Sequence, residues 1–198
     1  MIICAIDPGV IGAFALLTTG GDTNQGNIYV MDLPMDDEQA IEAMRMFIVP
    51  GCLMSIEKVR AMPGANNDKL TRSVAFWEGF AAAKGAVVSL VDARVWQSSM
   101  LGKVPVELTR LRDIEIGGEE ELKYRREIRA IKRDALKERS VEVAMQLFPA
   151  AAPLLQIKRN ETNKEQQRNR ADALCLLAYT VKVYETNNER IRNGIRSN

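Results

Sequence analysis

Short apolar runs alternate with polar turns over the first 91 residues, and this pattern indicates strands separated by loops and helices. The runs at 2–6 and 13–18 flank Gly9 and Gly12, as expected for a strand, a tight turn and a returning strand. A third run ends before Pro34. Together these runs predict strands at 2–6, 13–18, 27–33, 52–59 and 86–91.

Apolar residues recur at helical spacing between and after these strands. The spacing predicts helices at 36–48, 70–84, 119–148 and 161–184. The helix at 70–84 lies between the fourth and fifth strands, which favours a parallel, right-handed crossover. We therefore expect an α/β fold in which three antiparallel strands and then two parallel strands form a mixed five-stranded sheet flanked by helices.

A chain of 198 residues fits one domain at about 150 residues per domain. We expect this domain at 1–185, with a charged helical insertion at 101–132 and a polar tail at 186–198. Apolar residues make up 46% of the chain, which argues against disorder. The lack of a signal peptide or a long apolar run predicts a cytoplasmic protein without a membrane partner.

The chain contains no histidine, which excludes Ser–His triads and histidine-based zinc sites. Its three cysteines are scattered and odd in number, as expected for reduced core residues. The net charge is +1, but basic residues are concentrated after residue 102. That distribution indicates either a polyanion-binding surface or an ordinary solvated helix. Catalysis would therefore depend on carboxylates, lysine, tyrosine, cysteine or a hard metal ion.

Three carboxylates stand where predicted elements meet polar segments. Asp7 follows the first strand, Glu57 lies in the fourth, and Asp172 begins the apolar part of the last helix. Each has a structural alternative: an Asx turn for Asp7, a pair with Lys58 or Arg60 for Glu57, and a solvated face for Asp172.

Together the three carboxylates can converge on one rim of the sheet, where open α/β sheets place their sites. Their mutual repulsion requires a cation, and oxygen ligands suit Mg²⁺ or Mn²⁺. Two such ions about 3.5–4 Å apart would serve phosphodiester hydrolysis by a metal-activated water. Glu165 and Asn169 share a helix face with Asp172 and extend the candidate set.

Five short motifs occur in a fixed order along the chain. They are IDPG at 6–9, SIEKVRAMPG at 55–64, VDARVW at 91–96, LFP at 147–149 and RADAL at 170–174. In this order they resemble the RuvC-like Holliday junction resolvases, most closely the branch found in bacteriophages and prophages. The resemblance runs from residue 1 to about 184 and is weakest at 101–132.

This resemblance implies an RNase H-like fold and a homodimeric, Mg²⁺-dependent endonuclease that nicks two strands of a four-way DNA junction symmetrically. Asp7, Glu57 and Asp172 match the metal-binding acids of the family. No nucleotide cofactor is implied, Mn²⁺ is expected to substitute for Mg²⁺, and a phage-encoded protein would act in the host cytoplasm.

One position departs from the family pattern. Three residues before the last acid the family has Asp or His, whereas this chain has Asn169. Asn can bind Mg²⁺ through its carbonyl oxygen but adds no charge. Either Asn169 is a weak ligand, or Glu165 replaces it, or one metal site is impaired.

The family also places basic residues near the scissile phosphate. Lys137 is the matching catalytic candidate, with Arg139 and Lys132 as DNA contacts, although 123–139 also fits an exposed charged helix. In the family, the loop after the second acid can insert a side chain between bases at the junction centre, and Arg60 and Met62 are the matching candidates. Met62 would either wedge between bases or pack beneath the loop. Further phosphate contacts are expected from Asn66, Asn67, Lys69 and Arg72.

The helix at 70–84 carries more apolar surface than one core-facing stripe needs. It indicates either a dimer contact or a helix fully buried within one subunit. The leading hypothesis is therefore a structure-selective DNA endonuclease. A junction-binding protein with weak or no cleavage is the alternative, because of Asn169, and a sugar-kinase-like phosphotransferase would need a second phosphate turn and a longer chain.

Overall fold

Five strands form one mixed sheet in the computed structural model, which describes residues 1–9, 11–19, 27–33, 37–59, 68–102, 119–155 and 161–196. The strands are β1 (Ile2–Asp7), β2 (Ala13–Thr18), β3 (Asn27–Asp32), β4 (Leu53–Lys58) and β5 (Val87–Asp92). The α-helices are α1 (Asp37–Met44), α2 (Asp68–Ala83), α3 (Ala93–Met100), α4 (Glu119–Leu147) and α5 (Glu161–Arg196). A 3₁₀ helix covers Pro149–Leu155.

The strand order across the sheet is β3-β2-β1-β4-β5. The β1–β2 and β2–β3 pairs are antiparallel, and the β1–β4 and β4–β5 pairs are parallel. The predicted fold class, an α/β mixed sheet with three antiparallel strands followed by two parallel strands and flanked by helices, is confirmed by this topology.

Strand β1 is buried on both faces of the sheet, which explains its uninterrupted apolar sequence. Ile3 and Ala5 belong to a core cluster shared with α3, α4 and α5, whereas Cys4 and Ile6 belong to a second cluster shared with α1 and α2. The sheet therefore separates two helical layers, with α1 and α2 on one face and α3, α4 and α5 on the other.

Two helices differ from the sequence prediction. Helix α3 was not predicted, since Trp96 is its only buried residue and no repeating apolar stripe marks it. It begins where the Asp92 side chain accepts a hydrogen bond from the Arg94 backbone N–H, at 2.9 Å. Helix α5 continues to Arg196, so the predicted helix end at residue 184 was wrong, and the segment predicted as a polar tail is helical up to that point. Exposed polar residues extend a helix without needing an apolar stripe.

Helix α2 buries one face, through Val74, Trp77 and Ala81. The alternative of a fully buried helix is therefore excluded. Phe76 and Phe80 are partly buried and stack with parallel rings, their centroids 6.2 Å apart.

The three cysteines are buried and free, as the sequence predicted. In the described segments, no helix has the combination of length and apolarity that crossing a bilayer requires.

Candidate active site

Asp7 and Glu57 lie side by side at the carboxyl ends of β1 and β4. The two strands are parallel and pair Ile6 with Ile56, so each acid is the next residue along its strand. Ile6 and Ile56 point into the α1–α2 core cluster. Because side chains alternate along a strand, the two carboxylates point to the opposite face, toward α3, α4 and α5.

Two glycines, Gly9 and Gly12, shape the turn that follows Asp7 at the end of β1. The Gly9 backbone N–H donates to Asp7 Oδ1 at 3.3 Å, so Asp7 also starts an Asx-type turn. At Gly12 an added Cβ would lie 2.5 Å from the Asp7 carbonyl oxygen and 2.9 Å from Leu33 Cδ1. Only glycine therefore fits where the returning chain passes Asp7.

Glu57 is held by Trp96, a contact that the sequence interpretation missed. The Trp96 indole Nε1–H donates to Glu57 Oε2 at 2.8 Å, and Trp96 is fully buried. The available signal was a tryptophan soon after β5, because a buried indole N–H needs an acceptor.

Asp172 and Asn169 lie on α5 and contact Lys137 on α4. Lys137 Nζ is 2.7 Å from Asp172 Oδ2 and donates to Asn169 Oδ1 at 2.8 Å. Glu165 Oε1 is 4.0 Å from the same ammonium, but its side chain is half exposed. Glu165, Asn169 and Asp172 therefore all face Lys137, as expected for residues on one face of a helix.

The carboxylates repel each other in a partly desolvated site. Burial, Asp172 and Glu165 raise the pKa of Asp7 to about 6, against the opposing effects of Lys137 and the Gly9 hydrogen bond. Burial and the charges of Asp7 and Asp172 raise the pKa of Glu57 to about 8, although Trp96 and Lys137 oppose this. Burial is the largest cause of both shifts, so a bound cation would be needed to keep Glu57 ionised at neutral pH.

The same burial and the same carboxylates also shift the pKa of Lys137. Burial by itself would lower its pKa, but the carboxylates of Asp172 and Asp7 outweigh burial, and the pKa is raised above its usual value. Lys137 is therefore a permanent cation at neutral pH.

The carboxylate oxygens of Asp7 and Glu57 lie side by side in a partly buried site. Oxygen ligands of this kind fit a hard divalent cation, which would offset their repulsion. Asp172 is the third acid within electrostatic reach of both. Over the described ranges, however, no three acidic, cysteine or histidine side chains are grouped closely enough to hold an ion as they stand. The cation that already contacts Asp172 and Asn169 is the Lys137 ammonium.

Two open cavities meet at Lys137. One, of about 240 Å³, is a groove lined by Gln97, Arg129, Lys132, Arg133, Leu136, Lys137 and Asp172. The other, of about 310 Å³, is lined by Asp7, Gly9, Ile11, Lys137, Glu165 and Asn169. A basic groove therefore runs along α4 directly from the acidic cluster.

The groove contains one of the predicted DNA contacts and two residues that the sequence interpretation did not select. Lys132 was predicted, whereas Arg129 and Arg133 were missed. They share one face of α4 with Lys137 by their spacing, a signal that was available but ambiguous in a helix dense with charge.

The other predicted DNA contacts lie elsewhere. Arg139 donates to Glu142 at 2.8 Å and contacts the Leu101 carbonyl, so it is not brought into the groove. Lys69 and Arg72 are exposed on α2, the helix on the opposite face of the sheet. Four predicted contacts fall outside the described residues, namely Arg60, Met62, Asn66 and Asn67. Residues 103–118 of the predicted insertion do so as well.

Comparison with known proteins finds similarity in structure only. No family model matches the chain. A search of curated proteins finds no match either.

Three solved structures have similar folds at low identity. RuvC from Thermus thermophilus has a TM-score of 0.43 and 10% identity, covering 87% of this chain and 92% of that one. The same protein in complex with a Holliday junction substrate has a TM-score of 0.49 and 13% identity, covering 94% and 96%. The Fowlpox virus resolvase with its substrate Holliday junction DNA has a TM-score of 0.47 and 15% identity, covering 92% and 99%. At such identities, any assignment of function rests on the side chains of the site.

Proposed function

We propose that the protein is a metal-dependent endonuclease that cuts four-way or related branched DNA. The observation that carries the proposal is the pair Asp7 and Glu57 at adjacent strand ends, with the Asp172–Lys137 ion pair within electrostatic reach, at the mouth of a basic groove. Carboxylates repel the phosphates of DNA. They can act in phosphodiester hydrolysis when a bound divalent cation bridges the carboxylates and the phosphate.

The metal would be held by the carboxylates of Asp7 and Glu57, with Asp172 as the third acid within electrostatic reach. Mg²⁺ is the expected ion and Mn²⁺ the expected substitute, because all the ligands are oxygens. When bound, such an ion polarises the scissile phosphate and lowers the pKa of an attacking water.

The chain's own residues bind and orient the substrate. Trp96 keeps the Glu57 carboxylate pointed into the site. Lys137 offers an ammonium that can pair with a phosphate oxygen arriving beside Asp172. Arg129, Lys132 and Arg133 line the groove through which the flanking phosphates would run.

The choice of branched DNA follows from the sequence motifs, which also underlie the predicted bacteriophage or prophage origin. Symmetric nicking requires two sites at a set separation, so we propose a homodimer. The stacked pair Phe76 and Phe80 on α2 is the contact we propose for it, since both side chains are only partly buried against the core of their own subunit.

A junction-binding protein with weak cleavage is the second candidate. The contacts of Lys137 favour it, because they use an oxygen of Asp172 and the oxygen of Asn169 that would otherwise be free to bind an ion. This candidate predicts tight junction binding with no nicks.

The deciding experiment uses a four-way junction of fixed branch point, labelled on each strand in turn, at about 10 mM Mg²⁺ or Mn²⁺. The wild type should produce paired nicks at symmetric positions. Asp7→Asn should lose at least about 10³-fold in rate, equivalent to about 4 kcal/mol of transition-state stabilisation, while still binding the junction.

Glu142→Gln is the matched control, because it neutralises an exposed carboxylate whose partner is Arg139 rather than a site residue. Its nicking rate should equal that of the wild type. Binding without nicks in either metal would establish the second candidate, and equal nicking of linear duplex DNA would refute selectivity for branched DNA.

A further inference from the structure

The orientation of the Asn169 amide is determined by its two partners. Its Oδ1 accepts from Lys137 Nζ at 2.8 Å, and its Nδ2 donates to the carbonyl of Ile11. An ammonium can only donate and a carbonyl can only accept, so the amide cannot be reversed. Asn169 is 5% exposed, and both ends of its side chain are used.

These partners explain why an aspartate would not fit here equally well. An aspartate would lose the hydrogen bond to the Ile11 carbonyl and place a negative oxygen against it. The Ile11 carbonyl belongs to the turn between β1 and β2, which also holds Asp7. Asn169 therefore links the Lys137 ammonium to the turn that carries the first acid.

The Lys137 ammonium is fixed at one end of the acidic cluster. It contacts Asp172 and Asn169 on α5, and its side chain is only 20% exposed. Asp7 instead accepts a hydrogen bond from the Gly9 N–H, and Glu57 accepts one from the Trp96 indole. Lys137 also lines both cavities, so it stands between the open space beside Asp7 and the basic groove beside Asp172.

From these contacts we propose that the Lys137 ammonium, positioned by Asn169, takes the place of one of the two divalent cations that the sequence predicted. The site then binds a single ion, at the end formed by Asp7 and Glu57. Lys137 would supply the second positive charge at the Asp172 end. Asn169 is a positioning residue, which acts through Lys137 and does not bind the ion. The inference rests on the proposed function, since it concerns the same metal site.

Counting bound ions tests this without any cleavage assay. Metal-free protein is titrated with Mn²⁺, and bound ions are counted by calorimetry and by the loss of the free-Mn²⁺ electron paramagnetic resonance signal. The wild type should bind one ion. The double variant Lys137→Met with Asn169→Asp, which removes the ammonium and adds a carboxylate, should bind two.

Lys164→Met is the matched control, because Lys164 also bridges α4 and α5, through Glu138 at 3.2 Å, but lies outside the cluster. It should bind one ion, as should Asn169→Asp alone, which keeps the ammonium. Circular dichroism checks that each variant is folded. Should the double variant not fold, Lys137→Met alone is titrated to millimolar Mn²⁺ and should take up a second, weaker ion.

Each outcome decides the question. Two ions in the wild type, or one ion in both the folded double variant and Lys137→Met, would overturn the inference. In either case the junction-nicking experiment is unaffected, so the proposed function could stand while the inference fails. No bound ion in the wild type would overturn the inference and the metal dependence together.

Discussion

Asp7 and Glu57 at the strand ends carry the same functional group as Asp172 on α5, but their surroundings differ. Asp172 has an ammonium at 2.7 Å, whereas Asp7 and Glu57 accept hydrogen bonds from neutral N–H groups. Burial and mutual repulsion raise the pKa values of Asp7 and Glu57 to about 6 and about 8. The strand end of the cluster is therefore the part that needs an added cation, and the helix end already has one.

The largest stability effect is expected at the helix end. Lys137→Met would leave the Asp172 carboxylate, whose side chain is 8% exposed, buried without its cation. We expect a loss of about 3 kcal/mol, at the lower end of the range for breaking a buried pair. Lys164→Met breaks a half-exposed pair and should cost about 0–1 kcal/mol. Urea unfolding of both variants measures the difference, and equal losses would contradict the contrast between them.

The strand end should show the next largest effect, as a pH dependence. Because burial and neighbouring acids raise the pKa of Glu57 in the folded protein, the folded state holds its proton where the unfolded state has lost it. Stability without metal should therefore fall as pH rises from about 4.5 to about 8, with Asp7 contributing below about pH 6.

We expect this fall to be of the order of 2 kcal/mol, because one pKa unit corresponds to about 1.4 kcal/mol and residual water weakens the effect. Glu57→Gln removes the titrating group and should flatten the curve. Chemical unfolding in chelator at pH 5 and pH 8.5 measures both proteins. If the wild type were more stable at pH 8.5 than at pH 5, the negative charges of Asp7 and Glu57 would already be offset within the protein.

A smaller effect is expected from the hydrogen bond that holds Glu57. Trp96→Phe keeps an aromatic ring but removes the indole N–H, so metal affinity should fall about 10-fold, as is typical for partners that orient a metal ligand. The hydrogen bond lowers the pKa of Glu57, so its loss should move the pH dependence of metal binding to higher pH. Trp77→Phe, in the α2 core on the other face, is the control and should leave metal binding unchanged.

The smallest effect should be at single groove residues. Lys132→Ala removes one expected phosphate contact, so the slope of log affinity against log salt should decrease by about 0.9. Arg139→Ala removes a cation of the same helix that pairs with Glu142, and its slope should stay near that of the wild type. Junction binding measured by fluorescence anisotropy at several salt concentrations compares the two. A larger change for Arg139 would place the DNA on the other side of α4.

Strand and helix patterns were sufficient to predict most of the fold, because β1 and β4 bury both faces and the long helices carry apolar stripes. They did not predict α3, which buries one residue, or the polar end of α5. The three acids could be chosen from their positions at element ends. Arg139 lies outside the groove, and sequence could not show this because, in a helix with charge on several sides, it does not reveal which residues point along the groove with Lys137.

The sequence by itself determined the sheet topology, the oxygen-only chemistry of the candidate site and the presence of an asparagine at position 169. The tertiary structure alone decided what that asparagine does. Lys137, Asn169 and Ile11 are far apart in sequence, and hydrogen bonds among them exist only once α4, α5 and the β1–β2 turn have packed together. The same packing placed Trp96 against Glu57. Local sequence patterns indicate which segments form strands or helices. The pairing of buried charges depends instead on distances between elements, and these are determined by packing.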